Sequence, residues 1–110
     1  ERLPVKMAIM NNGYLGMVRQ WQQLFYENRI SQTPISSPDY EKLAAAYGAL
    51  GITVRLRSEL RPALERAKAH PGPVILDIRI EQSANVWPIV PPGGANADLM
   101  EDPGRAGVKR

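Results

Sequence analysis

Val5-Lys6-Met7-Ala8-Ile9-Met10-Asn11-Asn12-Gly13 is the stretch on which the fold of this chain turns. Its first part, Val5 to Met10, is a short and nearly continuous apolar run, the pattern of a strand buried on both faces of a parallel sheet. The run stops at Asn11-Asn12-Gly13, residue types that favour turns and tolerate unusual backbone angles. A helical pattern follows at once. Tyr14, Val18, Trp21 and Phe25, with Met17 and Leu24 beside them, recur at three- and four-residue spacing and define one apolar face. Arg19, Gln20, Gln22 and Gln23 fall largely on the opposite side. Strand, tight polar turn and helix make a β-to-α junction.

Working outward, residues 28 to 37 form a polar loop containing Pro34. Ser37-Pro38-Asp39 predicts the start of a second helix, with Ser37 as cap and Pro38 in the first helical position. Leu43, Ala44 and Tyr47 give that helix an inward face, and Gly48 marks its end. Gly51 precedes Ile52-Thr53-Val54-Arg55-Leu56, an alternating strand. A third helix is expected over about Ser58 to Ala69, with Leu60, Leu64 and Ala67 inward and Pro62 near its first turn. Pro73 to Ile80 reads as the last strand. The order β-α-α-β-α-β predicts an α/β three-layer sandwich with a parallel sheet, its strands joined by helical crossovers on both faces. Beyond Glu81 the chain turns rich in proline and glycine (Pro88, Pro91, Pro92, Gly93, Gly94), so the expected division is a folded part over 1–81 and an arm over 82–110. Within that arm only Asn85-Val86-Trp87-Pro88-Ile89-Val90 offers apolar side chains to bury.

Composition narrows the function classes. A chain of 110 residues is one domain at most, and 44% hydrophobic with 23% charged residues describes a soluble globular protein. No apolar run approaches the ~20 residues that cross a bilayer. The opening Glu1-Arg2-Leu3-Pro4 has neither a signal-peptide layout nor an initiator Met, which suits a segment of something larger. With no cysteine, disulfides, thiolate metal sites and cysteine nucleophiles are excluded together. The single histidine, His70, lies in Ala69-His70-Pro71-Gly72, where a solvated helix-ending role is expected. The net charge of +3 comes from dispersed arginines, without a basic run interleaved with aromatics, so neither nucleic acid nor membrane is an expected partner.

In open parallel sheets ligands bind beyond the carboxyl ends of the strands, and Asn11-Asn12-Gly13 is such a place. An Asn side chain offers a neutral oxygen, and a turn exposes backbone carbonyls beside it. Both suit Mg²⁺, which takes oxygen ligands and shares them with phosphates. The start of the following helix adds free N–H groups and a positive dipole end. Read by itself, an Asn-rich turn without a ligand fits the same residues.

The longer string Pro4 to Tyr26, with Asn11-Asn12-Gly13-Tyr14-Leu15-Gly16-Met17-Val18-Arg19-Gln20-Trp21 at its centre, closely resembles the catalytic subunit of the acetolactate synthase family. There the thiamine-diphosphate motif ends in an Asn-Asn pair followed by Gly-Met-Val and Gln-Trp. The resemblance continues through Pro38-Asp39-Tyr40, Lys42 to Gly48, Gly51 to Val54, Gly72 to Asp77 and Val86 to Gly93, covering about residues 4 to 96. It implies a partial thiamine-diphosphate-binding fold. It also implies roles: Asn12 and the main-chain carbonyl of Tyr14 as Mg²⁺ ligands, and Asn12, Gly13, Tyr14, Leu15, Gly16 and Met17 along the cofactor. Met17, Val18 and Trp21 would shape the pocket for the second 2-keto acid, and Val86 to Pro92 would be the arm that folds over the site.

What the resemblance leaves outside this chain is equally definite. The family's remaining Mg²⁺ ligand is an Asp upstream of the Asn pair, and the glutamate that activates the cofactor comes from another domain. No catalytic residue is therefore expected within these 110 residues, where Glu27, Asp39 and Asp77 read as acids in ordinary contexts. The implied cofactors are thiamine diphosphate and Mg²⁺, with FAD bound elsewhere in family members. The implied partners are the remainder of the catalytic subunit, a second copy in a homodimer or tetramer, and a regulatory small subunit. The implied location is the cytoplasm, or an organelle stroma in a eukaryote. The implied reaction condenses pyruvate with a second 2-keto acid, pyruvate or 2-ketobutyrate, for branched-chain amino acids. Two other readings stand beside it: a related thiamine-dependent carboligase or decarboxylase, and a non-catalytic packing module.

Overall fold

Each apolar run becomes a strand and each periodic segment a helix in the computed structural model, which describes residues 3–105. The first strand, β1 (Lys6–Asn11), leads through α1 (Gly16–Phe25) and α2 (Tyr40–Ala46) to β2 (Leu50–Val54), and α3 (Arg57–Ala69) leads to β3 (Val74–Arg79). Pairing within the sheet is parallel throughout and β3 lies in the middle, with the order β1-β3-β2. Val74 thus stands level with Lys6 on one side and Leu50 on the other.

Strand alternation divides the sheet into two faces. On one, Ile52 and Val54 of β2 and Val74 and Leu76 of β3 form a buried cluster with Ala63 and Ala67 of α3. On the other lies α2, so close that a Cβ placed on Gly51 would fall 2.5 Å from the Cα of Glu41. Two helices on opposite faces of a parallel sheet give the three-layer α/β arrangement. Small residues set the spacing: Ala44 is wholly buried in α2, and Ala63 and Ala67 are buried in α3.

Local chemistry fixes the helix ends, with one difference from expectation. The cap of α2 is Asp39 and not Ser37: the Asp39 carboxylate accepts from the N–H groups of Glu41 and Lys42, both at 3.1 Å. The Lys42 N–H, then the Lys42 side chain, holds the Asp39 carboxyl below its ordinary pKa. Ser37 instead turns its hydroxyl to the Asn11 side chain. At α3, the Glu59 carboxylate receives the N–H groups of Leu56 and Arg55 at 2.9 and 2.8 Å, which lower its pKa in that order. Leu56 is therefore the cap of α3 and not the end of β2, which begins earlier, at Leu50, and takes in Gly51. His70 caps the far end of α3, and its carbonyl accepts from Lys6 Nζ at 2.8 Å.

Burial departs further from the pattern. β1 was expected to be covered on both faces, yet it is an edge strand paired only with β3, with Met7 and Met10 exposed. Leu43, Tyr47 and Leu64, expected inward, are exposed as well. The physical reason is common to all: periodicity groups side chains on a face, but a face is buried only if another element lies against it.

Candidate functional site

The end of β1 is built by two consecutive side-chain turns. Asn11, the last residue of the strand, is buried, and its Oδ1 accepts from the Gly13 N–H at 3.1 Å. Asn12 follows outside the sheet, half-buried, and its Oδ1 accepts from the Tyr14 N–H at 3.0 Å. Asn and Asp are suited to such turns because the short side chain reaches the backbone two residues on. Gly13 bends between them with φ of +72°, a conformation that a side chain disfavours. Loop 28–35 supports the far side: the Leu15 N–H donates to the Thr33 carbonyl and the Ile35 N–H to the Gly13 carbonyl, both at 2.9 Å.

Helix α1 then begins without a side-chain cap. The Arg19 N–H donates to the Leu15 carbonyl at 2.9 Å, and the Tyr14 carbonyl lies before the helix. The donors at this turn are neutral oxygens, from the Asn12 carboxamide and the backbone, next to a helix start rich in free N–H groups. Asn12 Oδ1 keeps a second lone pair beyond the one used by Tyr14. These features fit part of a coordination sphere for a hard divalent cation bound to phosphates. They do not complete one, since among the described residues no group of three or more His, Cys, Asp or Glu could hold a metal. The backbone approaches closely here: a Cβ on Gly16 would meet Asn12 Nδ2 at 3.0 Å.

One turn further along α1, Met17, Val18 and Trp21 line a single solvent-open hollow of about 660 Å³, completed by Gln22, Tyr26 and Arg29. The three residues expected to share a pocket are thus on one surface. Trp21 is 38% exposed, and its ring meets Phe25 edge-on at 6.0 Å. Leu15 is also exposed. The apolar face of α1 is thus largely open to solvent. The buried residue of the helix is Gln20, at 1% exposure.

The polar side of α1 is the one that binds the rest of the chain. Gln20 forms a two-bond clamp on the backbone of Val86, Nε2 donating to the carbonyl at 2.9 Å and Oε1 accepting from the N–H at 2.8 Å. Gln22 clamps Ser31 in the same way, at 2.9 and 3.1 Å. Gln23 accepts from Asn85 Nδ2 at 3.2 Å. The arm is therefore anchored by the backbone of Val86 and not by its side chain, which is exposed. Further on, Ile89 and Met100 exchange backbone bonds at 3.0 and 2.8 Å, giving residues near 98–105 a partner that the sequence did not suggest.

A buried amide with both ends satisfied is costly to remove, because the Val86 N–H and carbonyl lose their partners together. Gln20→Leu is expected to destabilise by about 1–3 kcal/mol and to speed hydrogen exchange at the Val86 amide. An unchanged Val86 protection factor would show that the arm is held by something else.

Asp77 is the residue that sequence reasoning undervalued. It is 1% exposed in the middle of β3, bound by Asn11 Nδ2 at 2.8 Å and by Arg79 at 2.9 Å. A signal was present: an acid interrupting Val74-Ile75-Leu76-Asp77-Ile78 must find a partner if the strand is central.

Residues 1–78 match the family model described as thiamine pyrophosphate enzyme, C-terminal TPP binding domain. The chain is 40% identical over 102 residues to the acetolactate synthase isozyme 2 large subunit of Escherichia coli (strain K12), covering 92% of this chain and 19% of that protein. It is 44% identical over 101 residues to the acetolactate synthase large subunit of Pyropia yezoensis, covering 90% of this chain and 17% of that one. Among solved structures, the thiamine diphosphate-dependent 4-hydroxybenzoylformate decarboxylase of Rhodococcus jostii RHA1 superposes with a TM-score of 0.64 at 26% identity, covering 73% of this chain and 16% of that chain. The chain thus spans less than a fifth of the length of each of these proteins.

Proposed function

The chain belongs to the thiamine pyrophosphate enzymes, as their C-terminal TPP binding domain, and from that premise we propose that it forms the C-terminal part of an acetolactate synthase catalytic subunit. The observation that carries the reading is the placement of Met17, Val18 and Trp21 around one apolar hollow one helical turn beyond the Asn11-Asn12-Gly13 turn. Identities of 40% and 44% with acetolactate synthase large subunits, over nearly the whole chain, support the same assignment. On this reading residues 1–81 are the cofactor-binding part and residues 82–110 are the arm.

Each group has a definite task. Asn12 Oδ1 and the Tyr14 carbonyl hold Mg²⁺, and Gly13, Leu15, Gly16 and Met17 let the backbone and a soft side chain approach the cofactor. The uncapped N–H groups of α1 receive phosphate oxygens. Thiamine diphosphate, when bound, supplies the electron sink that decarboxylation of a 2-keto acid requires. Trp21 and Val18 exclude water from the acceptor subsite and select the alkyl group of the second keto acid. The reaction condenses pyruvate with pyruvate or 2-ketobutyrate. The full subunit works with a second copy and a regulatory subunit, carries FAD outside these residues, and resides in the cytoplasm or an organelle stroma. Among the described residues no helix is long and apolar enough to cross a membrane.

Competition between pyruvate and 2-ketobutyrate tests the acceptor pocket. In the full-length subunit, Trp21→Leu should change the product ratio by an amount corresponding to about 1–3 kcal/mol, the range of apolar discrimination. An unchanged ratio with a large fall in melting temperature would assign Trp21 to packing alone. A thiamine-dependent decarboxylase is the second reading, favoured by the 26% identical decarboxylase structure. Product analysis with pyruvate separates them, since a decarboxylase releases an aldehyde where a synthase forms acetolactate.

A further inference from the structure

We infer that Asp77 is a positioning residue for the cofactor turn, acting through the side chain of Asn11. The inference rests on the reading of Asn12 and Tyr14 as holders of the metal and diphosphate, and adds a residue from a different strand.

The carboxylate does not reach its neighbour in the sheet. In the parallel register Asp77 stands level with Ile9, and Asn11 with Arg79. Asp77 reaches diagonally, two residues along β1, where Oδ1 accepts from Asn11 Nδ2 at 2.8 Å. Its other oxygen is held by Arg79 at 2.9 Å. Both oxygens are thereby committed as acceptors, one to Arg79 and one to the last residue of β1.

The consequence is orientation. A carboxamide has a donor end and an acceptor end, and a carboxylate can only accept. Asp77 therefore forces Nδ2 of Asn11 toward β3 and Oδ1 toward the turn. There Oδ1 receives the Gly13 N–H at 3.1 Å and the Ser37 hydroxyl at 3.3 Å. With Gly13 tethered in its left-handed conformation, the chain enters the next turn with Asn12 outside the sheet and its Oδ1 under the Tyr14 N–H. A flipped Asn11 amide would set an N–H₂ against the Gly13 N–H and release the turn.

Fold stability alone does not call for an acid here. Burying a carboxylate is costly, and a buried ion pair is weak support for stability compared with apolar side chains of similar volume. An apolar residue at 77 would remove the acceptor of Asn11 Nδ2 and leave the Asn11 amide free to take either orientation. Outer-shell groups that orient metal ligands commonly change affinity by about 10- to 100-fold when altered.

The test uses the full-length subunit as apoprotein, with Asp77→Asn, Asn11→Asp and the exchanged double variant, Asn11→Asp with Asp77→Asn. Calorimetry gives the Kd for thiamine diphosphate at fixed Mg²⁺ and for Mg²⁺ at fixed cofactor, and melting temperature is read alongside. Asp77→Asn should fold and weaken binding about 10- to 100-fold. The exchanged pair should recover most of that loss, because Asn at 77 can donate to the carboxylate at 11, whose other oxygen still accepts from Gly13 and Ser37. Wild-type affinity in Asp77→Asn overturns the inference, as does a loss that the exchange leaves unrelieved. If Asp77→Asn does not fold, the exchanged pair decides: folded with near-native affinity supports positioning, folded without affinity refutes it, and failure of both to fold assigns Asp77 to the fold alone. Should the unaltered subunit bind no cofactor, it is the thiamine reading that fails and not the role of Asp77.

Discussion

Titration of the 110-residue chain by itself with thiamine diphosphate and excess Mg²⁺ is expected to show binding weakened by orders of magnitude, and no consumption of pyruvate. The oxygens offered at the turn, from Asn12 and Tyr14, are neutral. Among the described residues no acid joins them in a group that could hold a metal. Without a charged ligand, Mg²⁺ retains more of its water, and the diphosphate keeps a poorly neutralised charge. The resemblance places both the missing Asp and the activating glutamate outside these residues. The fold adds a second obstacle. β1 carries the turn, yet it is an edge strand with Met7 and Met10 exposed and one row of backbone groups unpaired, a surface prone to association. Calorimetry together with a pyruvate assay reads both halves. Micromolar binding with turnover would mean that a residue of this chain performs a role not assigned to it here.

A large loss of stability is expected from Gly51→Val. The Cβ of any residue at 51 would lie 2.5 Å from the Cα and 3.1 Å from the carbonyl oxygen of Glu41, with Ala44 Cβ at 3.2 Å. The obstruction is backbone, which cannot rotate away as a side chain would. Helix α2 would have to lift from β2, breaking the bond from the Thr53 N–H to Glu41 at 2.9 Å and uncovering Ala44. Overpacking of this kind costs about 1–3 kcal/mol and more where the backbone must move. The β-branched valine should reach the upper end, and Gly51→Ala a lesser loss. Denaturant unfolding of the subunit gives the difference. A midpoint equal to wild type in both variants would show that α2 shifts freely, and would sink the close-packing account.

The order of elements was legible in the sequence because each signal is local. An apolar run ending at Asn11-Asn12-Gly13, a periodic stretch after it, and Gly48 after α2 are all readable within a few residues. The crossover rule then gave parallel pairing without any knowledge of partners. The resemblance that marks the candidate site is local as well, running from Asn12 through Trp21 on one strand end and one helix. What lies opposite a face was legible only in part: Ala44 and Ala67 are buried as expected, while Met7, Met10, Leu43, Tyr47 and Leu64 are exposed. α1 shows why: Met17, Val18 and Trp21 do share a surface, as their spacing requires, but nothing described here covers it, while Gln20 is buried because the Val86 backbone comes to it from far along the chain.

By itself, then, the sequence determined the strand, turn and helix order and the parallel sheet, since these follow from residue types and spacing within single elements; the cofactor role of the Asn11-Asn12-Gly13 turn came from the family resemblance. Only the tertiary structure decided that β1 is an edge, that Asp39 and not Ser37 caps α2, that Gly51 lies inside β2 beneath α2, and that Asp77 accepts from Asn11. Each of these depends on which atoms meet across long stretches of chain, and the spacing of residues within one element carries no information about its neighbours.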